Sequence, residues 1–123
     1  MRVTRSLAVF AALNGALAVA IGAFAAHGAG PQVKTLLTTG GHYQMVHAAL
    51  ALVCAVWPAR SRLVVIAGWL AATGGLVFCL ALSAIALLSL SAMGAVAPIG
   101  GVLMISAWLL LAVAALRSQP ATA

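Results

Sequence analysis

The chain has 123 residues, 66% of them hydrophobic and 5% charged, whereas about 25% of the residues of a soluble domain are charged. It contains six Lys or Arg, three His and no Asp or Glu, which gives a net charge of +6. This small number of charged residues cannot cover the surface of a water-soluble domain. A lipid bilayer is therefore the expected solvent. The lack of Asp and Glu excludes paired carboxylates for acid–base catalysis, carboxylate cages for Ca²⁺ or Mg²⁺ and acidic proton relays.

Four apolar runs approach or exceed the roughly 20 residues that a membrane-spanning helix needs. They cover residues 7–26, 43–58, 63–90 and 98–116. This pattern predicts an all-α integral membrane protein, a single domain over residues 1–123 with four transmembrane helices in an up-down bundle.

The first run has a second interpretation, because residues 1–26 also resemble a secretory signal peptide. Arg2 and Arg5 would form its basic region, and Ala23-Phe24-Ala25 fits an A-x-A cleavage site. However, an apolar run of about 20 residues exceeds the 7–15 that are typical of a signal peptide. The length favours a retained helix.

The segment between the first two runs is less clear. In Val33–Leu37 apolar residues recur at helical spacing, which predicts either a short helix on the outer interface or an irregular loop. The second run is short, about 16 residues against the roughly 20 required. We therefore expect His42 and Tyr43 to lie at the membrane interface.

The third and fourth runs carry their own signals. At about 1.5 Å per residue the third is about 40 Å long, so it must tilt, protrude or bend, and Gly74-Gly75 is the expected bend. The fourth begins at Pro98, because proline is favoured in the first turn of a helix.

The basic residues predict the orientation. If the chain has four spans, one side of the membrane holds all the basic residues except Lys34. These are Arg2, Arg5, Arg60, Arg62 and Arg117. The positive-inside rule then places both termini in the cytoplasm of a bacterial cell, with the protein multi-pass in the inner membrane. The charges are interpreted as topogenic and as attracted to anionic lipid head groups. Nucleic acid is not an expected partner, because no aromatic platform accompanies the charges.

Small residues predict how the helices pack. Stripes at i, i+4 spacing run along the first and third spans: Ala8, Ala12, Ala16 and Ala20, and Ala67, Ala71, Gly75, Cys79 and Ser83. Such stripes let helix backbones approach closely, either within one chain or between two chains. Asn14, Thr73 and Ser106 fall at similar depths, which suggests a hydrogen-bonded layer. Asn14 is expected to specify packing rather than to contact an ion or substrate.

The outer end of the bundle holds the residues best suited to binding a ligand: His27, His42, Tyr43, Gln44 and His47. Clustered imidazoles can hold zinc, copper or haem iron. His42 and His47 are five residues apart, about 140° around a helix, so they would not share one face. The favoured interpretation is that each imidazole bonds a loop carbonyl or a helix end. A metal, lipid head-group or quinone contact is the alternative.

Cys54 and Cys79 differ too much in depth to form a disulfide or share a metal.

Three stretches resemble the YgdD-type family of small inner-membrane proteins, a domain of unknown function numbered 423. The first resembles the family's G-A-F-G-A-H-G signature and is Gly22-Ala23-Phe24-Ala25-Ala26-His27-Gly28. The second is similar to Y-Q-x-x-H-A-L-A-L and begins at Tyr43-Gln44. The third is similar to P-x-G-G…G-W and is Pro98-Ile99-Gly100-Gly101 with Trp108.

The resemblance implies an integral membrane protein with about four spans and carries no activity with it. Two features depart from the family pattern. The first outer loop is shorter and lacks acidic residues, and F-S-G-S-L-Y is replaced by Phe78-Cys79-Leu80-Ala81-Leu82-Ser83. Structural roles are expected for Asn14, Gly22, Gly75, Pro98, Gly100 and Gly101.

The leading functional hypothesis is a non-enzymatic accessory or membrane-organising subunit without a cofactor, acting as a homo-oligomer or within a larger membrane complex. The first alternative is a metal-, haem- or quinone-binding module that uses the outer histidines. The second is a small oligomeric transporter, although such proteins typically depend on an intramembrane glutamate that this chain lacks. An enzyme is least expected, because only histidine and tyrosine would be available for acid–base chemistry.

Overall fold

The protein is described by a computed structural model that covers residues 3–58 and 61–118. Within these ranges the chain is helical apart from short connections. The α-helices are α1 (Arg5–Gly28), α2 (Pro31–Ala55), α3 (Arg62–Leu88) and α4 (Ala97–Arg117), and a 3₁₀ helix covers Ser91–Ala95. Arg2 and Arg60, two of the residues used to predict orientation, lie outside the described residues.

Three segments are long and apolar enough to cross a membrane. They are α1, α3 and the segment Ser91–Arg117, which joins the 3₁₀ helix to α4. The 25-residue α2 is less apolar, because its first half carries Gln32, Lys34 and three threonines. The architecture is thus that of an all-α membrane protein with four α-helices and three clear candidate spans.

The second helix begins earlier than the apolar run that predicted it. Proline stands at its first position, where its missing N–H costs nothing, and Gly40 and Gly41 do not interrupt it. Val33–Leu37 is therefore neither a separate interfacial helix nor a loop but part of α2. His42 lies 11 residues into the helix, about 16 Å from its start at 1.5 Å per residue. His42 and Tyr43 are thus close to the middle of α2.

Consecutive helices run in opposite directions. The N–H of Thr4 donates to the carbonyl of Ala55 at 2.9 Å, which joins the start of α1 to the end of α2. The start of α3 and the end of α4 line one cavity at that same end. Each helix packs mainly on its neighbours in sequence, and α1 and α4 share no extensive contact. Compared with the expected up-down bundle, the arrangement is open between the first and last helices.

The core consists mainly of alanine. Its largest cluster includes Ala11, Ala51, Ala67, Ala71 and Ala107. Small side chains let helices approach closely in lipid, where packing rather than hydrophobicity holds them together. The predicted stripe on α3 is buried from Ala67 to Cys79. The predicted stripe on α1 is different, because three of its residues are exposed in this chain: Ala12, Ala16 and Ala20.

Glycines mark the closest approaches between helices. A Cβ on Gly74 would lie 2.8 Å from the Gly100 carbonyl oxygen, and a Cβ on Gly100 would lie 2.6 Å from the Phe78 nitrogen. A Cβ on Gly75 would lie 3.2 Å from the Cα of Gln44. α3 continues through Gly74-Gly75 as one helix. This glycine pair therefore serves close packing on both α2 and α4.

Gly22 and Gly101 differ from these positions, because a Cβ at either would meet nothing within 4 Å. Pro98 is in the first turn of α4, as expected of proline, and the helix begins one residue earlier. The third helix ends at Leu88 because Ser89 takes the left-handed conformation with φ 55°.

The two neighbouring glycines of α4 give a matched test of this packing. Gly100→Ala would press a methyl group against backbone atoms of α3, which cannot move aside, and should destabilise the protein by about 1–3 kcal/mol. Gly101→Ala has open space and should be neutral or slightly stabilising. Thermal unfolding in mild detergent measures both. Equal melting temperatures for the two variants would show that α3 and α4 are not in close contact at Gly100.

Candidate functional site

A buried amide pair joins α1 to α2. The Gln44 side-chain NH₂ donates to Oδ1 of Asn14 at 2.9 Å, and the Asn14 NH₂ donates to the Phe10 carbonyl at 3.0 Å. Both side chains are almost completely buried, at 3% exposure for Asn14 and 1% for Gln44. An interhelical hydrogen bond in a membrane contributes about 0.6 kcal/mol on average. This pair fixes the register of α1 against α2.

One atom of this pair lacks a partner. Gln44 Oε1 is buried and accepts no hydrogen bond within the described part of the chain. The reverse orientation of the two amides would place the Asn14 oxygen against the Phe10 carbonyl, so the orientation follows from the donors available. A buried acceptor without a donor costs about 1–3 kcal/mol.

A second polar link joins α2 to α4. The Trp108 indole Nε1–H donates to Nε2 of His47 at 3.0 Å, and His47 Nδ1 lies 2.7 Å from the Tyr43 carbonyl oxygen. Indole can only donate, so Nε2 must be unprotonated. The proton of the imidazole is then on Nδ1 and is donated to the carbonyl. His47 is thus a neutral Nδ1–H tautomer with both nitrogens engaged.

Aromatic rings surround this link. The rings of His47 and Trp108 meet at a steep angle with centroids 5.9 Å apart. The Tyr43 ring lies against His47 at 6.3 Å and meets the edge of Phe78 in α3 at 5.1 Å. Edge-to-face contacts of this kind add about 0.5–1.5 kcal/mol beyond the burial of area. The four rings connect α2, α3 and α4 at one level.

The five residues expected at the outer end do not form one cluster. His27 lies exposed in the last turn of α1. His42 is exposed and lines a groove between α1 and α2. Gln44 points to α1, whereas Tyr43 and His47 face α3 and α4. Successive residues of a helix are about 100° apart, so a run of polar residues is spread around α2 rather than gathered.

The expected layer of Asn14, Thr73 and Ser106 is also not formed. Asn14 is buried, but its partner is Gln44 of α2, a residue that was expected at the outer end. Thr73 and Ser106 are half-buried and do not contact the amide pair by hydrogen bonds. The cysteines Cys54 and Cys79 are both buried and free.

Trp108 is the site residue that sequence reasoning missed. Its role as a donor depends on the position of α4 relative to α2, which the sequence pattern does not give. The signal available was the requirement that a buried histidine find partners for both nitrogens. Only three residues of the chain carry an indole donor.

The arrangement holds helices together, because Asn14 with Gln44 and His47 with Trp108 are bonds between different helices. Among the described residues no three His, Cys, Asp or Glu side chains come close enough to hold one metal ion. His47 could bind a metal through Nε2 only if it gave up Trp108. The side chains of Asn14, Gln44, His47 and Trp108 are therefore used for links between helices.

The apolar helices, alanine core and paired interior amides define an all-α membrane protein. The chain belongs to the family described as "Protein of unknown function (DUF423)", whose model matches residues 21–101. The resemblance seen in the sequence is thereby confirmed.

Several bacterial membrane proteins are similar to the chain over nearly its whole length. The UPF0382 membrane protein YwdK of Bacillus subtilis is 34% identical over 116 residues, which cover 89% of this chain and 94% of the relative. A UPF0382 membrane protein of Staphylococcus epidermidis is 36% identical over 114 residues, with 89% and 93% covered. One of Staphylococcus aureus is 32% identical over 114 residues, with the same coverage. No solved structure gives a significant match.

The histidine–indole link predicts a distinct tautomer. In ¹⁵N NMR spectra of the histidine-labelled protein in detergent, His47 should appear as the neutral Nδ1–H form, because Trp108 occupies Nε2. Trp108→Phe removes the donor and should change the ¹⁵N shifts of His47.

Trp69→Phe is the matched control, because Trp69 stacks on Phe10 of α1 at 5.3 Å and is not a partner of His47. His47 signals that respond equally to both substitutions, or to neither, would contradict the hydrogen bond.

Proposed function

We propose that this protein is a non-enzymatic, multi-pass membrane protein that serves as an accessory or membrane-organising subunit and needs no cofactor. The observation that carries the proposal is the pairing of the interior polar side chains with one another. Asn14 with Gln44, and His47 with Trp108, join helices, so these four side chains are engaged in contacts within the protein. What the molecule offers to other molecules is therefore its outer surface.

We also propose that α2 crosses the membrane, which gives four spans. The helix lies between α1 and α3 and runs antiparallel to both, and it contacts each extensively. Its 25 residues reach about 37 Å at 1.5 Å per residue, enough to cross the hydrocarbon core. Two of its polar residues face other helices, since Gln44 bonds to Asn14 and His47 accepts from Trp108. This pairing lowers the free-energy cost of placing α2 in the bilayer.

The orientation follows from the charges. Arg5, Arg62 and Arg117 lie at one end of the helices, and Lys34 lies in the first turn of α2 at the other end. By the positive-inside rule the arginine end, with both termini, faces the cytoplasm. The relatives named above come from bacteria, which supports a bacterial cytoplasmic membrane.

Cysteine labelling tests the span number and the orientation together. In a background with Cys54→Ala and Cys79→Ala, Gly30→Cys should react with a membrane-impermeant maleimide on intact spheroplasts. Ser118→Cys should react only after the membrane is opened. Both positions are exposed at opposite ends of the helices. Labelling of both from one side would reject four spans, and labelling of Ser118→Cys alone would reverse the orientation.

The subunit role is supported by an unused packing surface. Ala12, Ala16 and Ala20 form a stripe of small residues on α1 that faces away from the other helices. The side of α1 towards α4 is also open. Small-residue stripes are typical of contacts between membrane helices, and a second copy or another subunit would use this one.

Native mass spectrometry of the protein extracted from its own membrane tests this role. We expect an assembly heavier than one chain that is lost in Ala16→Leu, because the larger side chain holds the partner helix away. Ala112→Leu is the control, since Ala112 is exposed on α4 and outside this stripe. A species that contains one chain and only lipid, in the unmodified protein, would contradict the proposal.

A further inference from the structure

The cations of this chain have no side-chain anion of their own to pair with. The sequence contains six Lys or Arg and no Asp or Glu. If an arginine side chain forms an ion pair, the carboxylate or phosphate group must therefore come from outside the side chains of this protein. At a membrane surface the most abundant anions are lipid phosphates.

Two arginines converge on one cavity at the arginine end of the helices. Arg62 opens α3, Arg117 closes α4, and both line a cavity of about 400 Å³. Both arginines are exposed, so a molecule in the surrounding lipid can reach them. Trp57, which follows α2, lies in the same lining.

The lining of the cavity combines polar and apolar residues. Ser61 and Ser118 line it together with the two arginines, and Ser61 makes no hydrogen bond as a helix cap. Leu63, Val64 and Ala114 form the apolar part. A guanidinium binds a phosphate through two parallel hydrogen bonds, and tryptophan is favoured at the level of lipid head groups.

We propose that this cavity binds the head group of one anionic phospholipid, with its phosphodiester held between Arg62 and Arg117. The Ser61 hydroxyl adds a hydrogen bond to the head group, whereas the Ser118 hydroxyl donates to the Ala115 carbonyl at 2.7 Å. The acyl chains extend from the apolar part of the cavity into the bilayer. Basic pockets between membrane helices bind anionic head groups in this way. The site is a property of this end of the chain, whichever face of the membrane carries it.

The groove at the opposite end does not have this character. It lies between α1 and α2 and is lined by a single basic side chain, Lys34, together with His42 and mostly small or apolar residues. One ammonium group on a flexible stem lacks the paired fork of two guanidinium groups. We therefore place the lipid at the arginine end.

Lipid titration followed by native mass spectrometry in mild detergent tests the site. The probes are phosphatidylglycerol and phosphatidylcholine with identical acyl chains. We expect one phosphatidylglycerol molecule to bind more tightly than phosphatidylcholine. Arg117→Gln should lower its affinity roughly tenfold, and Arg62→Gln with Arg117→Gln should remove the preference.

Arg5→Gln is the matched control. It removes the same charge from the same end of the protein, but Arg5 does not line the cavity. It should keep at least most of the affinity of the unmodified protein. An equal loss in Arg5→Gln and Arg117→Gln would overturn the site in favour of general charge attraction. Arg62→Gln alone provides a second variant if Arg117→Gln lowers the melting temperature.

Inorganic phosphate distinguishes a lipid site from a site for free phosphate. Millimolar phosphate should not displace phosphatidylglycerol, because the acyl chains add binding on the apolar side. Displacement by phosphate, or equal binding of both lipids, would overturn the proposal. Lipid binding at this cavity does not require the subunit role, so a single chain with one bound phosphatidylglycerol would reject that role and support the site.

Discussion

The structure depends on two adjacent glycines in the middle of α3. Gly75 faces α2 and Gly74 faces α4, because successive residues of a helix point about 100° apart. Neither carries a side chain, so both neighbours reach the backbone of α3 at the same level. Gly100 completes the contact from α4, where any Cβ would meet the backbone of α3. In lipid, where apolar surface alone does not hold helices together, such close contacts supply much of the packing attraction.

The polar links follow from this close packing. With α2 and α4 both drawn against α3, the side chains of His47 and Trp108 can meet although their helices are not neighbours in sequence. The same level of α2 carries Gln44, which binds Asn14 of α1. One turn of α2 thus links three other helices. An unpaired amide or imidazole would be costly in lipid, so these bonds exclude other registers.

The sequence predicted the class and the apolar helices but only part of their packing. Hydropathy finds membrane helices because lipid demands long apolar runs. It does not show which face of α1 packs inward, because both faces are apolar. The stripe through Ala12 and Ala16 predicts close packing of helices within one chain or between chains, and within this chain it is Ala11 and Asn14 that face the core. The start of α2 was missed because Lys34 and nearby threonines lower its hydropathy, although the helix is continuous.

The site was only partly predictable for a related reason. The unusual residues Tyr43, Gln44 and His47 were recognised, but their partners lie in other helices, and loops and packing decide which side chains meet. Among the described residues, the fully buried polar side-chain atoms have hydrogen-bond partners within the protein, with Gln44 Oε1 as the exception. The ends are the opposite, since six basic residues have no acidic side chain to pair with. The proposed lipid site at Arg62 and Arg117 would supply an anion that the side chains of the protein lack, and this is the physical reason to look for membrane contacts at the ends of the helices.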